Sequence, residues 1–191
     1  IEQLDTREIL RTINEQIQER YPKRKQRTHP LLEKLHQAIK ELQKSCEEKG
    51  VDPDIGKYIV EMHNPAGQKV VLVLADVLAD KTKKKYFIKE RSLWEIFSGI
   101  KDKTVQDQVE RFKALDIINQ LPQESKEFSM SLLFVHYALY KEELMKLIEK
   151  LITESNGAYL AECYESNSLV RNVRYRDDLY SILSLLHQFY F

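Results

Sequence analysis

KEFSMSLLFVHYALYKEELMKLIEKLIT, Lys126 to Thr153, is the stretch around which the rest of the chain must be organised. From Phe128 to Tyr140 it is apolar almost all the way round; thereafter it narrows to a stripe of Leu144, Leu147, Ile148 and Leu151. A helix apolar on every side lies inside a domain, and one with a stripe lies at its edge. The stretch therefore predicts one long helix, Ser125 to Glu154, capped by Ser125, that begins in the core and finishes on the rim. Its apolar run is shorter than the ~20 residues of a bilayer span and carries Ser131 and His136, which points to the core helix of a soluble helical domain.

Punctuation outside this stretch fits the same plan. Downstream, Asn156 and Gly157 close the helix, a short segment runs from Tyr159 to Tyr164, and a last helix from about Arg174 carries Leu179, Ile182, Leu183, Leu186 and Phe189. Upstream, Thr104 with Asp107 opens a helix bearing Val105, Val109, Phe112, Leu115 and Ile118 up to Pro122. Before it, ERSLWEIFSGI reads as a short helix that buries Leu93, Trp94, Ile96 and Phe97 and stops near Gly99. At the start of the chain, Asp5 with Glu8 forms a capping box for a helix carrying Ile9, Ile13 and Ile17. Pro30 opens the next, with Leu31, Leu35, Ala38, Ile39, Leu42 and Cys46 on one face and Gly50 as its stop. Asp52 and Pro53 are placed to begin a third, through Ile55, Tyr58, Ile59 and Met62.

Residues 58–75 admit two readings. KYIVEM and KVVLVL flanking HNPAGQ have the make-up of a small β-hairpin. Alternatively Asn64 caps a buried helix with Pro65 in its first turn. The helix is favoured, because Val70, Val71, Leu74, Val77 and Leu78 run past any reasonable strand and a lone hairpin is barely stable in water.

Composition supports a helical chain. Five glycines in 191 residues are few for a fold that needs tight turns, and all five prolines fall between apolar-periodic segments. The expected architecture is a single all-α domain over residues 1–191, an irregular bundle of seven to nine helices around the long central one. A chain that opens on Ile1 and ends in the aromatic run Phe189, Tyr190, Phe191 reads as a piece of a larger multidomain protein. Two widely spaced cysteines, Cys46 and Cys163, suit a reducing cytoplasmic compartment better than a disulfide framework.

Function has to be sought in charge layout, since no Gly-rich phosphate loop, nucleophile elbow or metal-ligand spacing is present; no catalytic residue, metal or cofactor is expected. Lys and Arg number 30, equal to Asp and Glu, so no overall field draws nucleic acid to the chain. Locally the charge is polarised. Arg20, Lys23, Arg24, Lys25 and Arg27 have no acid among them, and Lys81, Lys83, Lys84, Lys85, Lys89 and Arg91 face the single Glu90. Such clusters suit an anionic surface, a phosphoinositide-type head group included; as solvated cations beyond helix C-termini they would merely complement the macrodipole. Arg174, Tyr175 and Arg176 carry the residue types enriched in protein interfaces.

Three classes of function follow, the least favoured being an enzyme with a family-specific site that no motif marks. The first is a non-enzymatic helical interaction module docking a protein partner through helix faces and the C-terminal Tyr and Arg residues. The alternative is a membrane-targeting module, peripheral at an anionic surface, that binds through its two basic loops. In being rich in Lys, Glu, Gln, Ser and Tyr and poor in Gly, the chain resembles helical modules of large secreted effectors of intracellular bacteria, a likeness of composition and not of motif.

Overall fold

A computed structural model of the chain describes residues 29–85, 89–122 and 126–191. The helix expected after Asp5, the cluster Arg20, Lys23, Arg24, Lys25 and Arg27, and the Ser125 cap lie outside these residues. Within them the chain is an irregular all-α bundle of eight helices with two very short strand pairs.

Helix α1, Pro30–Glu47, has Pro30 in its first turn, and the His29 ring nitrogen Nδ1 accepts from the Leu31 N–H at 3.3 Å. Its stripe Leu32, Leu35, Ala38, Ile39, Leu42 and Cys46 is buried. Helix α2, Pro65–Leu78, settles the ambiguous region: Asn64 Oδ1 accepts from the N–H groups of Ala66 and Gly67 at 2.9 and 3.1 Å. There is accordingly no hairpin over 58–75. Among the described residues these two helices make the most extensive helix pair.

Helix α3, Leu93–Ser98, carries a complete Ser92–Glu95 capping box. Helix α4, Lys103–Lys113, begins two residues earlier than the Thr104 signal implied, because Asp102 is its cap. A 3-10 turn over Asp116–Gln120 follows. Asp102 also holds Lys150 at 2.7 Å; that bond, with the bonds from Thr104, brings its carboxyl down from 3.8 to about 2. A depressed carboxyl stabilises the fold above its unfolded pKa and ceases to do so as pH falls from about 4 toward 2. Asp102→Asn should therefore lower stability at neutral pH, where the contribution is full, and the gap to the parent chain should close as pH falls through that window, as followed by circular dichroism in denaturant titrations.

The central stretch is broken into helix α5, Lys126–Tyr140, and helix α6, Leu144–Thr153. Glu142 takes left-handed backbone (φ 56°), and the N–H groups of Glu142 and Glu143 bond the carbonyls of Leu139 and Ala138, both at 2.9 Å, closing a Schellman turn. The break has a phase argument behind it. At 100° per residue, an unbroken helix would carry Glu142, Lys146 and Glu149 onto the face that buries Phe134 and Ala138, and would swing Leu144, Leu147 and Leu151 away from it. Three residues of turn reset the phase, and all four stripe residues of α6 are buried.

Helix α7, Ala158–Cys163, and helix α8, Val173–Leu183, complete the set. The segment between them fastens the C-terminal end of α2. The Tyr164 hydroxyl, fully buried, donates to the Leu78 carbonyl at 2.8 Å, and Asp80 accepts from the Leu169 N–H at 2.9 Å. At the centre sit Trp94, Phe97, Phe112, Phe134 and Tyr137, with ring centroids 5.2 to 6.5 Å apart. The polar intruder Ser131 is satisfied: its hydroxyl donates to the Glu127 carbonyl and accepts from the Trp94 N–H. No helix among the described residues is long and apolar enough to cross a membrane.

Candidate functional site

The helix expected from Asp52 does not form. Asp52 Oδ1 accepts from the N–H groups of Asp54 and Ile55 at 3.0 Å, its N–H bonds the Lys57 carbonyl, and Gly56 turns left-handed at φ 69°. The sequence DPDIG held that turn chemistry, an Asx acceptor, a proline with φ preset and a glycine free to take positive φ, but the helical spacing of Ile55, Ile59 and Met62 overrode it. The consequence is exposure. Ile55 and Ile59 are each 44% exposed, Val51 49% and Met62 71%, so a loop of twelve residues presents four large apolar side chains to solvent.

This loop is not slack. Tyr58–Ile59 (β1) pairs in parallel with Phe189–Tyr190 (β4), and the Val60 N–H donates to the Tyr190 carbonyl at 2.7 Å. Strand alternation then sorts the side chains. Tyr58 leans on Phe189 with ring centroids 5.8 Å apart, Ile59 points out, and Val60 is buried. Val60 packs so close to α2 that a Cβ on Gly67 would stand 2.6 Å from its Cγ1, which is why that helix carries a glycine there.

The α5–α6 turn borders the same region. Lys57 Nζ meets Glu142 at 2.7 Å, the Tyr140 and Tyr190 rings are 5.8 Å apart, and Lys141 Nζ lies 4.8 Å from the centre of the Tyr140 ring. Between them is a pocket of about 40 Å³, lined chiefly by Leu139, Met145, Leu183, Leu186, Phe189 and Phe191, with Lys57 and Glu142 also in its wall. That is room for a few waters or the tip of one inserted side chain. Exposed apolar residues, a small apolar hole and charged groups beside them are the makings of a protein-docking surface.

The residues singled out from sequence lie elsewhere. Lys84–Lys85 (β2) and Lys89–Glu90 (β3) form an antiparallel hairpin with Lys85 opposite Lys89 in register. The hairpin is strapped to α7: the Lys83 amine donates to the Ala161 carbonyl at 2.8 Å, its N–H to the Cys163 carbonyl at 2.7 Å, and Arg91 pairs with Glu162 at 2.6 Å. The Lys81 amine bonds the Asn167 carbonyl at 3.3 Å. Lys83 thus serves the C-terminal turn of a helix remote in sequence, where its charge complements the macrodipole, while Lys84 is exposed. Arg174, Tyr175 and Arg176 open α8, beyond the Asn172 cap; Arg174 is exposed, and Tyr175 is half-buried edge-on against His29 with centroids 5.2 Å apart.

Chemistry-bearing groups have structural surroundings. Cys46 and Cys163 are buried free thiols, and burial foremost pushes the Cys163 thiol above its ordinary value, against the opposing pull of Tyr159 and Arg91. Burial also lowers the His136 imidazole. Among the described residues no three His, Cys, Asp or Glu side chains converge as a metal site would require.

No curated protein matches the chain. A family model does: that of the RUN domain, over residues 10–191. Nearly the whole chain is matched, the matched region is the helical bundle described above, and the surface that bundle exposes is suited to docking. The chain belongs to the RUN domain family, a family of helical protein-interaction modules.

Proposed function

We propose that this RUN domain is a non-enzymatic docking module whose partner is a small GTPase of the Rab or Rap class, received on the surface built from loop 51–62, the α5–α6 turn and the C-terminal strand. Family membership supports the partner class. The observation that supports the surface is the outward row Ile55, Ile59 and Met62, held in place by a strand pair and a closed turn instead of collapsing onto the core. Leaving such side chains in water is unfavourable, and a preordered apolar row loses little entropy when a partner covers it.

The test is retention of purified Rab and Rap proteins, loaded with a non-hydrolysable GTP analogue or with GDP, on the immobilised domain. At least one GTPase should be retained in a nucleotide-dependent way. Ile59→Asp with Met62→Asp should weaken that binding about tenfold or more, the scale of losing an interface anchor. Because both side chains are exposed, stability should shift by no more than ~0.5 kcal/mol each. No retention across the panel would remove the GTPase; full retention by the double variant would remove the surface.

A further inference from the structure

The connection between α6 and α7 is the one place among the described residues where three successive residues take left-handed backbone. They are Ser155 (φ 52°, ψ 40°), Asn156 (φ 55°, ψ 36°) and Gly157 (φ 82°, ψ −1°). Two of the three have a Cβ, for which this region is costly. Asparagine visits it more readily than most residues, and glycine freely. Asn156 and Ser155 are both exposed. Around Gly157 there is space: the nearest atom to a Cβ placed there would be the Ile152 carbonyl oxygen, 3.7 Å away. Asn156 is also the only asparagine in the 191 residues that is followed by glycine.

We infer that Asn156 is a site of spontaneous covalent modification, deamidation through a cyclic imide. Base removes the proton from the Gly157 backbone nitrogen, which attacks the Asn156 side-chain carbonyl carbon. A C–N bond forms, the side-chain nitrogen leaves as ammonia, and a five-membered succinimide results. Water then adds to either ring carbonyl and breaks one C–N bond, giving aspartate or, when the chain is rerouted through the side chain, isoaspartate. Glycine at the next position favours the attack, because no Cβ shields its nitrogen. The observed ψ of Asn156 turns that nitrogen away from the side chain, so ring closure waits on opening of the turn. A turn composed of costly conformations on the surface is among the first parts of a fold to open.

Every other described asparagine lacks this combination. Asn64 precedes a proline and caps α2, and Asn172 caps α8. Asn119 lies within a 3-10 turn and precedes glutamine, and Asn167 is followed by serine. The products would place a new negative charge immediately before α7, the helix that fastens the lysine-rich hairpin, and isoaspartate would add a backbone carbon to the connection.

The experiment is peptide mapping by mass spectrometry after incubating the purified chain, native and in denaturant, at mildly alkaline pH in ¹⁸O-labelled water. In the native chain, acid should appear at residue 156 ahead of every other asparagine, as a mixture of aspartate and isoaspartate, each with one solvent oxygen. Conversion should be faster at higher pH and in denaturant, and lost in Asn156→Gln. Aspartate without isoaspartate would overturn the cyclic route. A native chain unmodified at Asn156 over the time in which the denatured chain converts would overturn the site.

Discussion

Phe134→Ala is expected to cost about 3–5 kcal/mol, the range for emptying a large aromatic from a packed core. Phe134 is 1% exposed and is the hub of the central cluster, since its ring lies within 6.5 Å of Trp94, Phe97, Phe112 and Tyr137, centroid to centroid. Those four rings come from α3, α4 and α5, so removal of the hub loosens three helices at once. Set against total stabilities of about 5–15 kcal/mol, roughly a fifth or more of the folding free energy is at stake. For a domain of this size the midpoint of thermal unfolding should fall by about 6–20 °C. Trp94, the only tryptophan, touches Phe134 edge-on and gives an internal probe: its emission should move toward that of an exposed indole before global unfolding. Phe134→Leu keeps most of the volume and should cost far less. Equal losses for the two variants would mean that the ring's shape, and not the cavity, controls stability at this position.

The same region shows what could and could not be read from the chain. Helices with an apolar stripe and a start or stop signal were legible: α1 from Pro30 to Gly50, α2 from Asn64, and α3 up to Gly99, and local and tertiary preferences agree in them. The α5–α6 break was hidden because both halves are helical and the turn residues Lys141, Glu142 and Glu143 are ordinary helix formers. Only the mismatch in phase between the two apolar faces requires it, and that shows once both faces are asked to meet one core. Loop 51–62 misled in the opposite sense. Its apolar residues recur at helical spacing, yet Asp52 and Gly56 close a turn and no face of the bundle covers Ile55, Ile59 or Met62. The proposed docking surface was out of reach from sequence for a related reason. It joins residues near 58, 141 and 190, and a parallel strand pair between positions 130 residues apart leaves no local signature. The lysine-rich hairpin was conspicuous as charge, whereas the tie of Lys83 to the end of α7 depends on a tertiary contact.

Gly99→Ala should destabilise the fold by about 2–4 kcal/mol, although the usual expectation has the opposite sign. Gly99 has φ −83° and ψ −8°, a conformation open to any residue, and glycine to alanine at such a site ordinarily stabilises by about 0.4–1 kcal/mol through the unfolded chain. Here the space is taken. An alanine Cβ would fall on the Tyr159 hydroxyl oxygen, 3.1 Å from Tyr159 Cζ and 3.2 Å from the Glu95 carbonyl oxygen. Tyr159 cannot yield cheaply, because its hydroxyl donates to the Ile96 carbonyl at 2.8 Å and its ring packs on the core. The loss combines overpacking with a broken hydrogen bond. Tyr159→Phe alone should cost about 0.5–1.5 kcal/mol, the worth of that bond. In the double variant the atom that clashes is gone, so its loss should fall short of the sum of the singles by at least about 1 kcal/mol in a denaturant double-mutant cycle. Additive losses would show that the hydroxyl and the missing Cβ do not compete for the same space. A coupled result would explain why this turn after α3 carries one of the five glycines of the chain without using its freedom of φ.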